Sequence, residues 1–294
     1  MSDESNQPKR MTLPMATPAG PTSQAPPGAV SRAIPGVKHI IAVGAGKGGV
    51  GKTTVSVNLA IALTKSGNRV GIIDADVYGP NVPMMLGISS QLESDGKKIV
   101  PAEKYGIRVV SMGFLADEKA PLIWRGPMLH GVVRQFLQDV RWGELDYLVV
   151  DMPPGTGDVA LSLSQTVPVS GAVVVTTPQK VSLADSRRAV AMYEKLNIPT
   201  LGIIENMSYY VCPGCEQEAD LFGKGGGVQI AEELNVPFLG QIPLCTPIRV
   251  GGDTGAPIVS VEPDSPGGQA FSQAAERTVD QLSIASKKPL APVL

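Results

Sequence analysis

A glycine-rich segment between an apolar run and a helical pattern constrains the fold of this chain more than any other feature. The segment extends from Gly46 to Thr54 and reads Gly-Lys-Gly-Gly-Val-Gly-Lys-Thr-Thr. A short β-branched run over 38–43 precedes it, and residues 53–66 place apolar side chains near helical spacing before Gly67. Strand, glycine-rich turn and helix form the context that a phosphate-binding loop requires. The segment therefore predicts a polyphosphate site at a helix N-terminus.

The residue types in this loop suit the binding of ATP and Mg²⁺. The glycines let the backbone turn with its N–H groups facing inward, toward phosphate oxygens. The later lysine, Lys52, is expected to reach the β- and γ-phosphates, and the Thr53 hydroxyl is expected to ligate Mg²⁺. The predicted ATP-binding residues of the loop are Gly46, Lys47, Gly48, Gly49, Val50, Gly51, Lys52, Thr53 and Thr54.

The first lysine of the loop, Lys47, needs a separate explanation because Lys52 already serves the phosphates of its own chain. The loop resembles the deviant Walker A sequence of the MinD, ParA and nitrogenase-iron-protein class. In that class the early lysine crosses a dimer interface and neutralises charge on the partner's triphosphate. The resemblance implies that Lys47 and Lys52 are both catalytic and that the chain works as a homodimer. The alternative is that Lys47 is a solvated surface lysine.

The rest of the chain alternates strand-like and helical patterns. The apolar runs expected to be strands lie at 69–74, 147–151, 172–176, 200–205 and 237–242. The helical patterns lie at 128–140, 183–196, 228–234 and 268–284. Such alternation predicts an α/β fold with a mainly parallel, twisted sheet and helices on both faces, as in P-loop NTPases. Residues 97–100 and 107–112 are expected to form an added hairpin.

Composition separates the first segment from the rest of the chain. Residues 1–36 contain seven prolines among Ser, Thr, Gln and Ala, without periodic apolar positions, which is typical of a disordered tail. We expect this tail over 1–36, one ATPase domain over 37–286 and a short C-terminal tail over 287–294. Aromatic residues make up only 4% of the chain, so Val, Ile, Leu and Ala must fill the core.

Charge and hydropathy argue against several classes of partner. The formal net charge is −2 at pH 7 and no long basic run occurs, so a nucleic-acid partner is not expected. No stretch of about 18 apolar residues occurs, so no membrane-spanning segment is expected. The acidic start of the chain fits neither a secretory signal nor a transit peptide, and the cytoplasm is the expected location.

Acidic residues follow two of the predicted strands, at the edge of the sheet where nucleotides bind. Asp74 and Asp76 follow one apolar run, and Asp151 follows another. Asp151 fits the usual partner of the Mg²⁺ hydration shell, and Gly155 is expected to offer its N–H to the γ-phosphate. The resemblance to the MinD and ParA class implies that Asp76 orients or deprotonates the attacking water, with Asp74 near the magnesium. The alternative is that these aspartates are solvated turn residues.

The chain has three cysteines, and two of them form the pattern Cys212-Pro-Gly-Cys215. Two thiolates can reach one metal, but a tetrahedral thiolate site needs four ligands. A two-fold dimer supplies four, so a subunit-bridging [4Fe–4S] cluster held by both cysteines of each chain is the most economical interpretation. A bridging zinc ion, a redox dithiol and a structural disulfide are alternatives, and a reducing cytosol disfavours the last. Cys245 is expected to be a structural thiol.

The order of the motifs resembles that of the Mrp family, which includes the cytosolic NUBP-type scaffolds. In chain order the motifs are the loop over 46–54, Asp-Ala-Asp-Val-Tyr-Gly-Pro-Asn over 74–81, Trp-Arg-Gly-Pro-Met over 124–128, Asp-Met-Pro-Pro-Gly-Thr-Gly-Asp over 151–158, Thr-Pro-Gln over 177–179, Glu-Asn-Met-Ser over 205–208, the cysteine pair, and Phe-Gly over 222–223. The resemblance implies an ATPase that assembles a labile iron–sulfur cluster on its dimer and passes it to apo iron–sulfur proteins. Asn206 matches the asparagine that contacts adenine in the MinD and ParA class.

Two other functions share the same loop. A MinD- or ParA-type positioning or partition ATPase would need a basic membrane-binding helix or a basic DNA face, whereas the chain ends with only Lys287 and Lys288 among prolines and apolar residues. The cysteine pair has no purpose in such a protein. An electron-transfer ATPase like the nitrogenase iron protein also bridges a cluster, but its cysteines are well separated in sequence.

Overall fold

The apolar runs of the sequence form strands that are buried on both faces, as expected for a parallel sheet covered by helices. The computed structural model describes residues 32–287 except 78, 90–91, 97, 115–125, 156, 213 and 216. In chain order its strands are β1 (Val37–Gly44), β2 (Val70–Asp74), β3 (Glu93–Ser94), β4 (Ile99–Val100), β5 (Ala102–Lys104), β6 (Ile107–Ser111), β7 (Leu145–Asp151), β8 (Gly171–Thr176), β9 (Thr200–Glu205), β10 (Tyr210–Val211), β11 (Glu218–Ala219) and β12 (Phe238–Gln241).

Helices connect most of the strands. They are α1 (Lys52–Lys65), α2 (Val82–Leu86), α3 (Gly126–Gln138), α4 (Asp158–Thr166), α5 (Lys180–Lys195), α6 (Gly226–Glu233), α7 (Thr246–Thr254), α8 (Ile258–Val261) and α9 (Pro266–Ala285). The longest, α9, begins after Ser265, whose side chain accepts a 3.1 Å hydrogen bond from the Gly268 N–H and so satisfies an otherwise unpaired donor. None of the helices in the described part of the chain is long and apolar enough to cross a bilayer.

The main sheet brings three strand ends together. Among the described residues it has eight strands in the order β12-β9-β8-β1-β7-β2-β6-β5, and every neighbouring pair is parallel except β5 and β6. In the register, Val43 of β1 lies beside Asp151 of β7, and Asp151 lies beside Asp74 of β2. Because the carboxyl ends of parallel strands share one edge, the loop after β1 meets both aspartates there. The predicted α/β architecture is confirmed.

Each face of the sheet buries its own apolar cluster. Along β1, Ile40 and Ala42 point to the cluster formed with α3, α4, α5 and α6, whereas Ile41 and Val43 point to the cluster formed with α1, α8 and α9. This alternation follows from the two-residue period of a strand. Burying an aliphatic side chain of this size contributes about 1.5–3 kcal/mol. Helices on both faces therefore stabilise the strand that carries the loop.

The prediction of a hairpin between residues 97–100 and 107–112 is wrong. β4 pairs with β3 instead, while β6 lies parallel to β2 in the main sheet and antiparallel to β5. Tyr105 (φ 51°) and Gly106 (φ 76°) form the two-residue turn between β5 and β6. Two positive φ values give the turn twist that matches paired strands. The apolar residues of β6 thereby become buried beside β2 rather than remaining on an outer hairpin.

The described chain is packed before the domain boundary expected at residue 37. Ile34 is buried in the core, and the Arg32 N–H donates a 3.2 Å hydrogen bond to the Thr166 carbonyl at the end of α4. The remainder of the expected N-terminal tail, residues 1–31, and residues 288–294 of the expected C-terminal tail lie outside the described residues.

Candidate functional site

The loop between β1 and α1 fits its surroundings only with glycine at particular positions. Gly49 and Gly51 have φ values of 82° and 79°, in the left-handed region that favours glycine. A Cβ atom at Gly46 would lie 2.1 Å from the carbonyl oxygen of Asp185, and one at Gly51 would lie 2.1 Å from Nδ2 of Asn206. The loop is therefore enclosed between α5 and the segment that follows β9.

Lys52 directs its ammonium group toward two of the predicted acidic residues. Its side chain is buried, and Nζ lies 2.8 Å from Oδ2 of Asp151 and 3.7 Å from Oδ2 of Asp76. Nζ also donates a 3.2 Å hydrogen bond to the Thr53 hydroxyl. A buried lysine and carboxylate are stable when each compensates the charge of the other. The structure therefore brings together three of the predicted site residues around one ammonium group.

Asp151 accepts hydrogen bonds from two hydroxyl groups of α1. Its Oδ2 accepts a 2.8 Å hydrogen bond from Thr53, and its Oδ1 accepts a 2.6 Å hydrogen bond from Ser56. Hydroxyl and carboxylate oxygens in contact are the donor set that suits Mg²⁺ in P-loop sites. Ser56 lies outside the loop motif and was not predicted, although its position one helical turn after Thr53 places both hydroxyls on the same face of α1.

Asp74 lies beside Asp151 in the sheet register and is fully buried. Burial first, and then the negative charge of Asp151, raise the pKa of Asp74 to about 7. Two hydrogen bonds oppose this rise, one from the Ser111 hydroxyl at 2.9 Å and one from the Val82 N–H at 3.1 Å. Asp74 thus belongs to the same acidic group as the sequence predicts. Ser111 has no local signal in the sequence, because its contact with Asp74 depends on β6 lying beside β2.

The two other residues predicted around the phosphates also lie at this edge of the sheet. Asp76 is buried, faces Lys52, and accepts a 3.3 Å hydrogen bond from the Gly79 N–H through Oδ1. Gly155 has a φ of 92°, and its N–H donates a 2.9 Å hydrogen bond to the carbonyl of Ala45. The N–H predicted to bind the γ-phosphate is therefore bonded to the first part of the loop, and it must exchange this acceptor to bind phosphate.

Lys47 differs from Lys52 in its surroundings. It is partly buried and forms no ion pair with any residue that the structure describes. The glycines that follow it, Gly48 and Gly49, are exposed. The ammonium group of Lys47 therefore has no carboxylate partner among the described residues.

Asn206 contacts the loop directly. Its side chain is buried, and Nδ2 donates a 2.8 Å hydrogen bond to the carbonyl of Val50. Its backbone N–H donates to the carbonyl of Thr176 at 2.8 Å, which fixes the residue at the end of β9. The structure thus places Asn206 against the phosphate loop, next to Gly51, and the predicted contact with adenine stays a prediction.

The two spaced cysteines lie on a separate hairpin. β10 pairs with β11, and the Cys212 N–H donates a 3.0 Å hydrogen bond to the carbonyl of Gln217. Cys212 is partly buried, Cys215 is exposed, and neither forms a disulfide with a described residue. The backbone N–H groups of Gly214 and Cys215 lower the pKa of the Cys212 thiol, which favours the thiolate that binds metals.

In the part of the chain that the structure describes, the hairpin does not complete a metal site by itself. Among the described residues, no group of three or more His, Cys, Asp or Glu side chains could hold a metal ion. Cys245 is half-buried just before α7, and burial raises the pKa of its thiol. A lowered thiol pKa therefore distinguishes Cys212 from Cys245, and the hairpin contributes two thiols to any metal site.

A parallel sheet, a glycine-rich loop opening a helix, and buried lysine and aspartate side chains with a partly buried threonine beneath that loop define a P-loop nucleotide-binding protein. Within that class, residues 36–279 match the model of the family described as ParA, the NUBPL iron-transfer P-loop NTPases, and the chain belongs to this family. The match covers the loop, the acidic strand ends and the cysteine hairpin. The predicted resemblance is confirmed at the level of the family.

Individual relatives agree with this assignment. An iron–sulfur cluster carrier protein of Synechocystis is 52% identical over 256 residues, which cover 85% of this chain and 72% of the relative. The solved structure of a nucleotide-binding protein from Archaeoglobus fulgidus in complex with ADP, with Co found by PIXE, is 37% identical, with a TM-score of 0.69 over 80% of this chain and 92% of that one. MinD from Pyrococcus horikoshii complexed with Mg-ADP is 26% identical, with a TM-score of 0.63 over 85% and 99% of the two chains.

Proposed function

We propose that this chain binds and hydrolyses ATP and carries an iron–sulfur cluster on a homodimer in the cytoplasm, for delivery to apo iron–sulfur proteins. One observation carries the proposal: a buried Lys52–Asp151 pair under a phosphate loop occurs in the same domain as a hairpin with two thiols and no further ligand among the described residues. The relatives named as iron–sulfur cluster carriers support the same conclusion.

The nucleotide would replace contacts that the loop residues make with one another. Lys52 would exchange its contacts with Asp151 and Asp76 for the β- and γ-phosphates. Thr53 and Asp151 would hold Mg²⁺, which when bound offsets the negative charge of the phosphate oxygens. Asp76, whose Oδ2 lies 3.7 Å from the Lys52 ammonium group, would orient or deprotonate the attacking water. Asp74, at the end of the neighbouring strand β2, would lie near the Mg²⁺.

The dimer would complete both sites. Lys47, which has no ion pair with a described residue, would reach the triphosphate of the second copy and neutralise charge that develops there. A two-fold axis would also bring two copies of the Cys212 and Cys215 pair together as four thiolate ligands. One interface would therefore serve ATP hydrolysis and cluster binding at once.

The segment after Asp151 would change its hydrogen bonds with the nucleotide state, and this change would alter the dimer interface after hydrolysis. ATP binding would draw the Gly155 N–H from the Ala45 carbonyl to the γ-phosphate, and loss of that phosphate would restore the original bond. The N–H has a hydrogen-bond acceptor in both states, whereas the buried Ala45 carbonyl gives up this donor when ATP binds. Cluster release would follow the nucleotide state of the dimer.

Anaerobic reconstitution with iron and sulfide tests this function. The wild type is expected to bind one [4Fe–4S] cluster per two chains, seen by iron content, absorbance and sedimentation, and to pass it to an apo-ferredoxin. Cys212→Ala and Cys215→Ala are expected to lose the cluster, whereas the matched control Cys245→Ala retains it. Binding of zinc alone would contradict the proposal, as would binding of DNA or lipid without any metal, which would favour a positioning or partition ATPase.

A further inference from the structure

A short stretch of chain, residues 205–211, joins the phosphate loop to the cysteine hairpin; we refer to it as the connecting segment. It begins with Glu205 at the end of β9 and ends with β10, one residue before Cys212. We propose that the connecting segment transmits adenine-nucleotide binding to the cysteines within one chain, and that Glu205 is the positioning residue on which this transmission depends. The proposal rests on nucleotide binding by the loop, as proposed above.

The first end of the connecting segment is packed against the loop. Asn206 donates its 2.8 Å hydrogen bond to Val50, and a Cβ atom at Gly51 would lie 3.6 Å from Cε of Met207. Met207 itself has a φ of 53°. A residue other than glycine holds this left-handed conformation only where its surroundings fix it. The loop and the start of the segment therefore cannot shift independently.

Glu205 fixes the middle of the connecting segment. Its carboxylate is fully buried, and it forms no ion pair with any residue in the described part of the chain. Oε1 accepts hydrogen bonds from the Ser208 hydroxyl at 2.5 Å and from Nε2 of Gln241 at 3.0 Å, and Oε2 accepts one from the Gly227 N–H. A buried carboxylate without a cation is tolerated because all its donors are in place. One side chain thus ties the segment to β12 and to the start of α6.

The far end is bonded to the chain that follows β12. The Ser208 N–H donates to the Ile242 carbonyl at 3.0 Å, and the Tyr209 carbonyl accepts a 2.7 Å hydrogen bond from the Leu244 N–H. Tyr210 then pairs with Ala219 in the hairpin that carries the cysteines. Backbone hydrogen bonds therefore hold Asn206, Ser208 and Tyr209 in place before the hairpin begins, and Met207 lies between two of these held residues.

This arrangement predicts how a nucleotide acts on the thiols. A base that engages the side-chain amide of Asn206 shifts the amide relative to the Val50 carbonyl, and this shift passes along the fixed segment to Cys212 and Cys215. ADP carries the same base as ATP, so ADP suffices and no second chain is needed. Coupling between two binding sites is reciprocal. A metal bound to the cysteines therefore changes the affinity for ADP by the same factor by which ADP changes the affinity for the metal.

Alkylation of the thiols in the metal-free, reduced full-length chain tests the proposal. The rate of reaction of Cys212 and Cys215 with iodoacetamide is measured by mass spectrometry with and without Mg-ADP, at a concentration where sedimentation shows a monomer. Mg-ADP is expected to change the rate about fivefold or more in the wild type. Glu205→Gln is expected to bind Mg-ADP but to show equal rates with and without it, because the amide nitrogen cannot accept a hydrogen bond. The matched control Glu233→Gln, which alters an exposed carboxylate of α6, retains the response.

The remaining results either support or overturn the proposed coupling between the nucleotide and the cysteines. If Glu205→Gln is not folded by circular dichroism, Ser208→Ala removes a single donor to Glu205 and is expected to weaken the response. A wild type that binds Mg-ADP without any change in thiol reactivity overturns this inference and leaves the proposed function intact. A response that requires ATP and a dimer overturns it too, because the coupling then crosses the interface. A wild type that binds no nucleotide overturns both.

Discussion

The ammonium group of Lys52 lies 2.8 Å from Oδ2 of Asp151, so the two residues that serve phosphate and magnesium in a P-loop site are paired with each other here. Both side chains are buried, and Thr53 and Ser56 donate hydrogen bonds to the same carboxylate. The pair keeps the lysine extended beneath the loop, where a triphosphate can replace the carboxylate as its partner. The same contact therefore contributes to stability and prepares the site.

Removing the lysine is expected to cost stability as well as binding. Lys52→Ala leaves the Asp151 carboxylate buried without its cation, and breaking a buried pair in this way lowers the free energy of unfolding by about 3–5 kcal/mol. Urea denaturation measures this change, and a fluorescent ATP analogue measures the loss of affinity. The control Lys65→Ala removes an exposed lysine of the same helix and is expected to change neither quantity. Unchanged stability of Lys52→Ala would contradict the role of the pair.

Removing Lys47 is expected to affect activity without affecting stability, because this lysine has no ion pair with a described residue. Lys47→Ala should reduce phosphate release at least tenfold, on the order of one lost charge contact in a transition state. Mixing Lys47→Ala with Asp76→Asn distinguishes the two possible geometries. If Lys47 acts across the interface, the mixed dimer has one complete site and activity returns. Mixtures as inactive as the separate variants would show that Lys47 serves its own chain.

The raised pKa of Asp74 predicts a pH dependence of stability. Because the pKa in the folded chain is about 7 and the ordinary value is 3.8, the folded state binds more protons than the unfolded state between these pH values. Stability contributed by this group is therefore lost as the pH rises from about 4 to about 7, by an amount on the order of 2–4 kcal/mol. Denaturation of wild type and Asp74→Asn across this range gives the measurement. The slope should diminish in Asp74→Asn and persist in Asp253→Asn, an exposed control.

Two glycines of the loop form a matched pair for testing its contact with Asn206. Gly49→Ala and Gly51→Ala share the same cost of a positive φ, about 1 kcal/mol. A Cβ at Gly49 has no neighbour within 4 Å, whereas one at Gly51 would lie 2.1 Å from Nδ2 of Asn206. Gly51→Ala is therefore expected to lose about 1–3 kcal/mol more than Gly49→Ala in urea denaturation. Equal losses would mean that Asn206 moves aside without cost.

The parts of the site that the sequence predicts are those with local signals. The loop, its helix and the aspartates that end β2 and β7 could be recognised because each motif carries its own strand or turn. The roles of Ser111 and Glu205 could not be recognised, since their hydrogen-bond partners depend on which strands become neighbours. The expected hairpin over 97–100 and 107–112 failed for a different reason: β5, which pairs with β6 across a two-residue turn, is short and mostly polar and gives no strand pattern in the sequence.

The position of β1 in the sheet has a consequence for how such a protein can diversify. The acidic residues predicted at the nucleotide site lie at the ends of β2 and β7 on one side of β1, whereas the cysteine hairpin lies between β9 and α6 on the other side, outside the strand order of the main sheet. An insertion at that point lengthens a surface connection and leaves every central strand with the same neighbours. Proteins with this fold can therefore gain, exchange or lose a metal-binding hairpin by altering one loop, while the nucleotide-binding strands and loop are inherited unchanged.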